Sequence, residues 1–334
     1  MEHQYIDRRT GLVRTERLFC DRIVNVLYSD IMEHAGFLFN LLVSQRSSKI
    51  LGYLNYDMPL SSKIRSPERF AQTLGIDLDE VLGSPEALDT RRKIFERKIR
   101  YRQCRDMPED EASVVSPADA RVLVGSFAEG TKLFIKNKFF SYDEMIGTDR
   151  KTWLEAFENG AFAIFRLTPD KYHYNHTPVA GQVVDIYEIA GAYNACNPGA
   201  IVRSVTPCSK NRRVVTVIDT DRPGGSRVGL VAMVEVVALM IGQIVQCYSA
   251  DGYDRPVSVG CGLFVDRGKP KSLFRPGSST TVLIFQENRI RFSRDICENM
   301  GRKDVLSRFS AGFGQPLVET EVLVRSKIAS RQAG

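Results

Sequence analysis

Apolar positions along the chain follow two regimes that meet near residue 108. From 16 to 51, Leu18, Ile23, Val24, Leu27 and Ile31, then Ala35, Leu38, Phe39 and Leu42, recur at spacings of three and four, the period of an amphipathic helix. Within it, 36–43 is apolar nearly all round and is followed by Arg46 and Lys49, which suits either packing on a core or lying in a membrane interface. The stretch from Pro67 to Gly75 reads as a helix with proline at its start and glycine at its end, and a second short helix is expected over 86–98. After Met107-Pro108-Glu109-Asp110-Glu111 the pattern becomes β. Valine-rich runs at 114–115 and 120–124 enclose a Ser-Pro-Ala-Asp turn, and further strands are expected at 132–137, 161–167, 182–187, 213–219, 228–237, 240–248 and 281–286. Short helices are expected at 143–146 and 151–157. Strands closed by Gly and Pro turns, without long alternating helices, predict a sandwich- or barrel-like core. The expected fold class is α+β, with a helical N-terminal region over 1–108 and a β-rich domain over 109–334.

Composition refines this picture. At 334 residues the chain can bury a full core, and 43% apolar with 26% charged residues is ordinary for a soluble globular protein. The most apolar segment, 228–245, is interrupted by Glu235 and Gln243 and is rich in Val and Met, which favours buried strands over a membrane-spanning helix. The polar first ten residues do not open a signal peptide. Cysteines at 20, 104, 196, 208, 247, 261 and 297 have no paired short spacing, so neither a zinc ribbon nor a disulfide framework is expected, and a reducing compartment is the simpler reading. The net charge of +6 is unevenly spread: 91–102 holds seven basic residues and one acid, Glu96. Such a run is either a solvated helix face or a surface for an anionic partner. With only Phe95 and Tyr101 interleaved for base stacking, no nucleic acid partner is expected.

Two stretches carry candidate chemistry. In the first, the Pro276-Gly277 turn is followed by Ser278, Ser279, Thr280 and Thr281 and then an apolar run. These hydroxyls would serve an ordinary turn. A hydroxyl aimed back at the Gly277 carbonyl could also attack its own backbone, given a base, and form an ester. Elimination from that ester would split the chain and leave a pyruvoyl group on the new N-terminus. In the second, His173 and His176 sit three apart between Phe165 and Gly181. A metal pair would need further ligands at a supporting spacing, so no metal is expected. The histidines could be core residues tied to backbone carbonyls, or a base for a serine hydroxyl if a carboxylate orients the ring. Asp119 is the candidate carboxylate, and its type also suits an Asx-turn.

Four segments together resemble the pyruvoyl-dependent phosphatidylserine decarboxylases: Ser116-Pro117-Ala118-Asp119-Ala120, Phe165 to Gly181, Asn211-Arg212-Arg213-Val214-Val215, and Phe274 to Phe285. Tyr5-Ile6-Asp7-Arg8-Arg9-Thr10-Gly11 and Phe95-Glu96-Arg97-Lys98 extend the similarity to the N-terminal region. The resemblance implies a proenzyme that cuts itself once, between Gly277 and Ser278, with Asp119, His176 and Ser278 as the triad and His173 associated with decarboxylation. Its cofactor would be pyruvate, as a covalent pyruvoyl group made from Ser278. Its reaction would convert phosphatidylserine to phosphatidylethanolamine with loss of carbon dioxide. The family's Gly-Ser-Thr reads Gly277-Ser278-Ser279 here, which leaves Ser279 as a second candidate for the cleaved serine. Ala120 replaces the usual Gly, and Arg267-Gly268-Lys269-Pro270-Lys271 replaces a Lys-Gly-Glu-Glu-Gly-like approach; these departures leave the head group open. Another amino-acid-derived substrate, or a non-catalytic lipid-binding relative, are the alternatives, the latter at odds with an intact Asp, His and Ser. The implied partners are phosphatidylserine in an anionic membrane and the chain's own two fragments, with a homodimer left open. The expected location is peripheral, on the cytoplasmic face of a membrane, through 36–43 and the basic run.

Overall fold

A computed structural model of the chain describes residues 2–18, 64, 66–129, 139–195, 197–203, 207–238, 243–276 and 279–332. The expected interfacial segment 36–43, the expected strand 132–137, and the cleavage pair Gly277 and Ser278 lie outside the described residues. Among the described residues the strands are, in order, β1 (Gln4–Asp7), β2 (Val13–Thr15), β3 (Ser113–Val115), β4 (Ala120–Ser126), β5 (Ala161–Leu167), β6 (Tyr174–His176), β7 (Gly181–Ile189) and β8 (Arg213–Asp219). They continue with β9 (Leu230–Val236), β10 (Ile244–Gln246), β11 (Phe264–Val265), β12 (Pro270–Phe274), β13 (Ser279–Phe285), β14 (Ile290–Phe292), β15 (Thr320–Val322) and β16 (Lys327–Arg331).

Ten of these strands form one sheet in the order β11-β7-β8-β9-β13-β5-β4-β15-β1-β2, open at both ends. The expected β-rich, sandwich-like α+β architecture is therefore present, and among the described residues the sheet does not close into a barrel. The central strands are apolar on both faces because both are covered: every residue of β13 is buried, and so are six of the seven in β9. Such continuous Val, Leu and Ile runs are the signature of a strand with no solvent face. The outer strand β7 keeps a half-buried pattern instead. Two small sheets, β10-β12-β6 and β14-β16-β3, hold the remaining strands among the described residues. The Ser-Pro-Ala-Asp turn is the passage from β3 in a small sheet to β4 in the large one, so Asp119 stands where the chain changes sheets.

The N-terminal region is less separate than its sequence suggests. Helix Pro67–Leu74 forms as expected, with Ser66 accepting from the Arg69 N–H and Gly75 in the left-handed region at φ 73°. Yet β1 pairs in parallel with β15, so residues 4–7 extend the large sheet rather than a helical layer. Charge fixes that hairpin in place. Arg166 on β5 bonds both Glu16 and Glu319, Arg121 on β4 pairs with Glu16, and His3 bonds Glu319, all of them buried. Two short helices the sequence did not signal, Arg294–Met300 and Arg308–Phe313, lie in the C-terminal part, and the first packs against β4 and β15.

Candidate active site

The strand β6 is only three residues long and polar, yet it is buried because β12 pairs with it on one side and the Ser-Pro-Ala-Asp turn meets it on the other. Pro270 is opposite His176 and Leu273 opposite Tyr174, and the Phe274 N–H donates to the His173 carbonyl at 3.1 Å. The His176 N–H donates to the Pro117 carbonyl at 2.7 Å. Both candidate histidines thus flank the strand that leads into Pro276 and the cleavage pair, beside the turn that carries Asp119.

His176 is fully buried and both ring nitrogens are engaged: Nδ1 is 3.0 Å from the Gly268 carbonyl and Nε2 is 2.9 Å from the Tyr172 hydroxyl. A carbonyl can only accept, so Nδ1 carries the proton and Nε2 is the basic nitrogen, receiving the Tyr172 O–H. The Tyr172 hydroxyl is in turn 2.7 Å from that of Tyr253. Burial, helped by the Arg325 charge, pushes the His176 pKa down to about 3 and keeps the ring neutral.

His173 differs in having no well-formed partner on either nitrogen among the described residues, the Lys171 backbone giving only a weak contact. Its ring is stacked on Phe95, with centroids 3.5 Å apart and planes 27° from parallel. Burial first, then the Arg97 guanidinium, bring it down to about 3. A neutral, fully buried imidazole so poorly partnered among the described residues is costly to the fold. Active sites are where such groups are retained.

Asp119 is also buried, and its carboxylate is taken by Arg105. Nε is 3.0 Å from Oδ1 and Nη2 is 2.7 Å from Oδ2, while the Val324 N–H adds 2.8 Å to Oδ1. Burial alone would raise its pKa, but the Arg105 guanidinium outweighs that and holds it below the usual carboxylate range. Arg105 is also forked onto Glu80 at 2.6 and 2.7 Å. Asp119 thus makes no hydrogen bond to His176, whose two nitrogens have other partners; its negative charge reaches both histidines through space. Ser279 opens β13 opposite Leu167, with its hydroxyl buried and unpartnered among the described residues.

Sequence reasoning did not single out Tyr172, Phe95 or Arg105 as parts of this site. The only signal for Tyr172 was its place beside His173. Metal chemistry finds its nearest candidate elsewhere, in His3, Glu16 and Glu319, whose ligand atoms lie within 4.8 Å of one another. Arg166 and Arg121 already neutralise that cluster, so it is an ion-pair network joining the N-terminal hairpin to the sheet.

A family model for phosphatidylserine decarboxylase matches residues 92–305, which include Asp119, both histidines and the Gly277-Ser278 pair. The chain belongs to the phosphatidylserine decarboxylase family. It is therefore a carbon–carbon lyase made as a proenzyme. Among curated relatives, the phosphatidylserine decarboxylase proenzyme of Fusobacterium nucleatum subsp. nucleatum is 28% identical over 90% of this chain and 93% of its own length. That of Clostridium tetani is 27% identical over 98% of each. That of Chlamydia trachomatis serovar D is 30% identical over 88% of this chain and 91% of its own.

Proposed function

We propose that this chain cuts itself between Gly277 and Ser278, turns Ser278 into a pyruvoyl group, and then decarboxylates phosphatidylserine to phosphatidylethanolamine and carbon dioxide. The observation that carries this reading is the pair of neutral buried histidines against β12, the strand that runs into the cleavage pair. In the cutting step, the basic Nε2 of His176 takes the Ser278 hydroxyl proton, which requires the Tyr172 hydroxyl to move aside or pass the proton on. Asp119, kept ionised by Arg105, stabilises the imidazolium through space. The Ser278 oxygen bonds the Gly277 carbonyl carbon, the peptide C–N bond breaks, and loss of the Ser278 α-proton expels Gly277 as a carboxylate. Water then releases ammonia from the new terminus.

The pyruvoyl group, once present, supplies a carbonyl that condenses with the substrate amine and accepts the electron pair freed when the carboxylate leaves. The residues fit it: among the described residues neither nitrogen of buried His173 has a well-formed hydrogen-bond partner. Its role is to receive the substrate carboxylate in a dry site and to deliver the proton that replaces carbon dioxide. The central position of β13, hydrogen-bonded to β9 and β5 of the other fragment, supports both pieces staying together after the cut.

The membrane surface is the proposed working place, with an anionic leaflet as partner. Lys93, Lys98, Arg100 and Arg102 are exposed in the same sequence run as Phe95, whose ring stacks on His173, and that run supports an anionic surface as partner. Among the described residues no helix is long and apolar enough to cross a membrane. The test is release of labelled carbon dioxide from carboxyl-labelled phosphatidylserine in anionic vesicles. Release is expected from wild type and not from Ser278→Ala; activity on free serine alone would overturn the substrate assignment.

A further inference from the structure

We propose that the buried Lys271–Glu235 ion pair and the polar side chains gathered on it form a splint that fixes the two strands flanking the cleavage pair, with Thr281 as its hold on the C-terminal fragment. The inference rests on the self-cutting reading and adds positioning residues to it. The strand β12 ends at Phe274 and β13 begins at Ser279, but the two belong to different sheets and share no backbone pairing. Before the cut, a link of four residues joins them. After it, no covalent bond does, and the new terminus must still meet His173.

Side chains bridge that gap. Glu235 stands on β9 directly opposite Thr281 of β13, and its carboxylate crosses to β12. Oε2 accepts from Lys271 Nζ at 2.8 Å and from Gln246 Nε2 at 2.8 Å, while Oε1 accepts from the Ser272 hydroxyl. Lys271 donates a second bond to Gln246 Oε1 at 2.8 Å. Asn175 on β6 joins the group through Nδ2, 3.4 Å from the Ser272 hydroxyl, and its Oδ1 accepts from the Thr281 hydroxyl at 2.8 Å. Glu235, Lys271, Ser272, Asn175 and Thr281 are all at most 1% exposed.

A buried ion pair is a poor choice for stability alone, because apolar residues of similar volume do as well or better. What it adds is direction: the donors and acceptors of several strands meet at one fixed place, so a strand that slips leaves buried groups unpaired. The placement gives that property a use. His173 stands two residues before Asn175, just ahead of β6, and its carbonyl takes the Phe274 N–H, so the Asn175–Thr281 bond ties β13 to the segment that carries His173. Thr281 is three residues beyond Ser278, and Lys271 and Ser272 are seven and six before it, so the network grips both sides of the bond to be broken.

Thr281→Val keeps the shape and removes the hydroxyl; Thr281→Ser keeps the hydroxyl. Each is translated in vitro, and conversion of the uncut chain to fragments is timed, followed by lipid decarboxylation by the cut fraction. Thr281→Val is expected to slow cutting about tenfold and to lower kcat with little change in KM, with Thr281→Ser near wild type. The double variant Glu235→Leu/Lys271→Met, an apolar pair of similar volume, should fold cooperatively and cut slowly. A wild-type rate of cutting and turnover in both Thr281→Val and the double variant would overturn the splint while leaving self-cutting intact. A wild-type chain that never cuts would overturn the underlying reading, and the splint with it.

Discussion

Acidification is the perturbation to which the two site histidines answer most directly. Both are fully buried and both are held to about 3 in the folded protein. In the unfolded chain each takes its proton near the ordinary value of about 6.5. Between 6.5 and 3 the unfolded state therefore binds more protons than the native state. The stability these neutral rings contribute is complete above 6.5 and is lost as the pH falls through that window. From pH 7 to pH 5 the loss is about 2 kcal/mol for each histidine and about 4 kcal/mol for the pair. That is a large share of the ~5–15 kcal/mol that keeps a domain folded. Carboxylates held low by partners, such as Asp119, begin to matter only at more acid pH, where their unfolded forms protonate at about 4. The assay is urea unfolding at pH 7, 6 and 5 in a Ser278→Ala background, kept as a single chain so that the transition is unimolecular. His173→Gln and His176→Gln should each flatten the dependence of stability on pH by about 1 kcal/mol per unit between pH 6 and 5. Equal slopes in the parent and both variants would refute the assignment of neutral, buried imidazoles.

Asp119→Asn should cost about 3 kcal/mol in the same unfolding assay, because it strips the countercharge from buried Arg105, which keeps only Glu80; a loss below about 1 kcal/mol would show that the pair is not buried as described. Phe95→Leu should admit water beside His173 and raise its pKa from about 3, moving the acid limb of the decarboxylation profile to higher pH. An acid limb unchanged from wild type would mean that Phe95 does not control that ring.

The sequence carried the large sheet well and the site only in part. Strands β4, β5, β8, β9 and β13 were legible because strands covered on both faces are runs of Val, Ile, Leu and Phe. The strands that hold the site, Tyr174–His176 and Pro270–Phe274, were not, since a three-residue polar strand and one opening on proline carry no period to read. The hairpin of β1 and β2 was missed for a related reason. It is fixed by Glu16 reaching Arg166 and Arg121, pairings 150 and 105 residues apart along the chain. Asp119, His173 and His176 could be named from local chemistry and family resemblance, and the structure gathers all three around one turn and one short strand. The partner of Asp119 could not be named, because nothing in the spacing of Arg105 distinguishes it from its basic neighbours.

The central claim concerns mass. Purified wild-type protein, unfolded and weighed intact, should give a large fragment ending at Gly277 and a small one spanning 278–334. The small fragment should be lighter by one ammonia than simple hydrolysis would leave it, because its first residue has become pyruvoyl, and Ser278→Ala should give one uncut chain. A small fragment starting at residue 279 would move the chemistry to Ser279. A wild-type chain that stays whole and still releases carbon dioxide from phosphatidylserine would contradict the account.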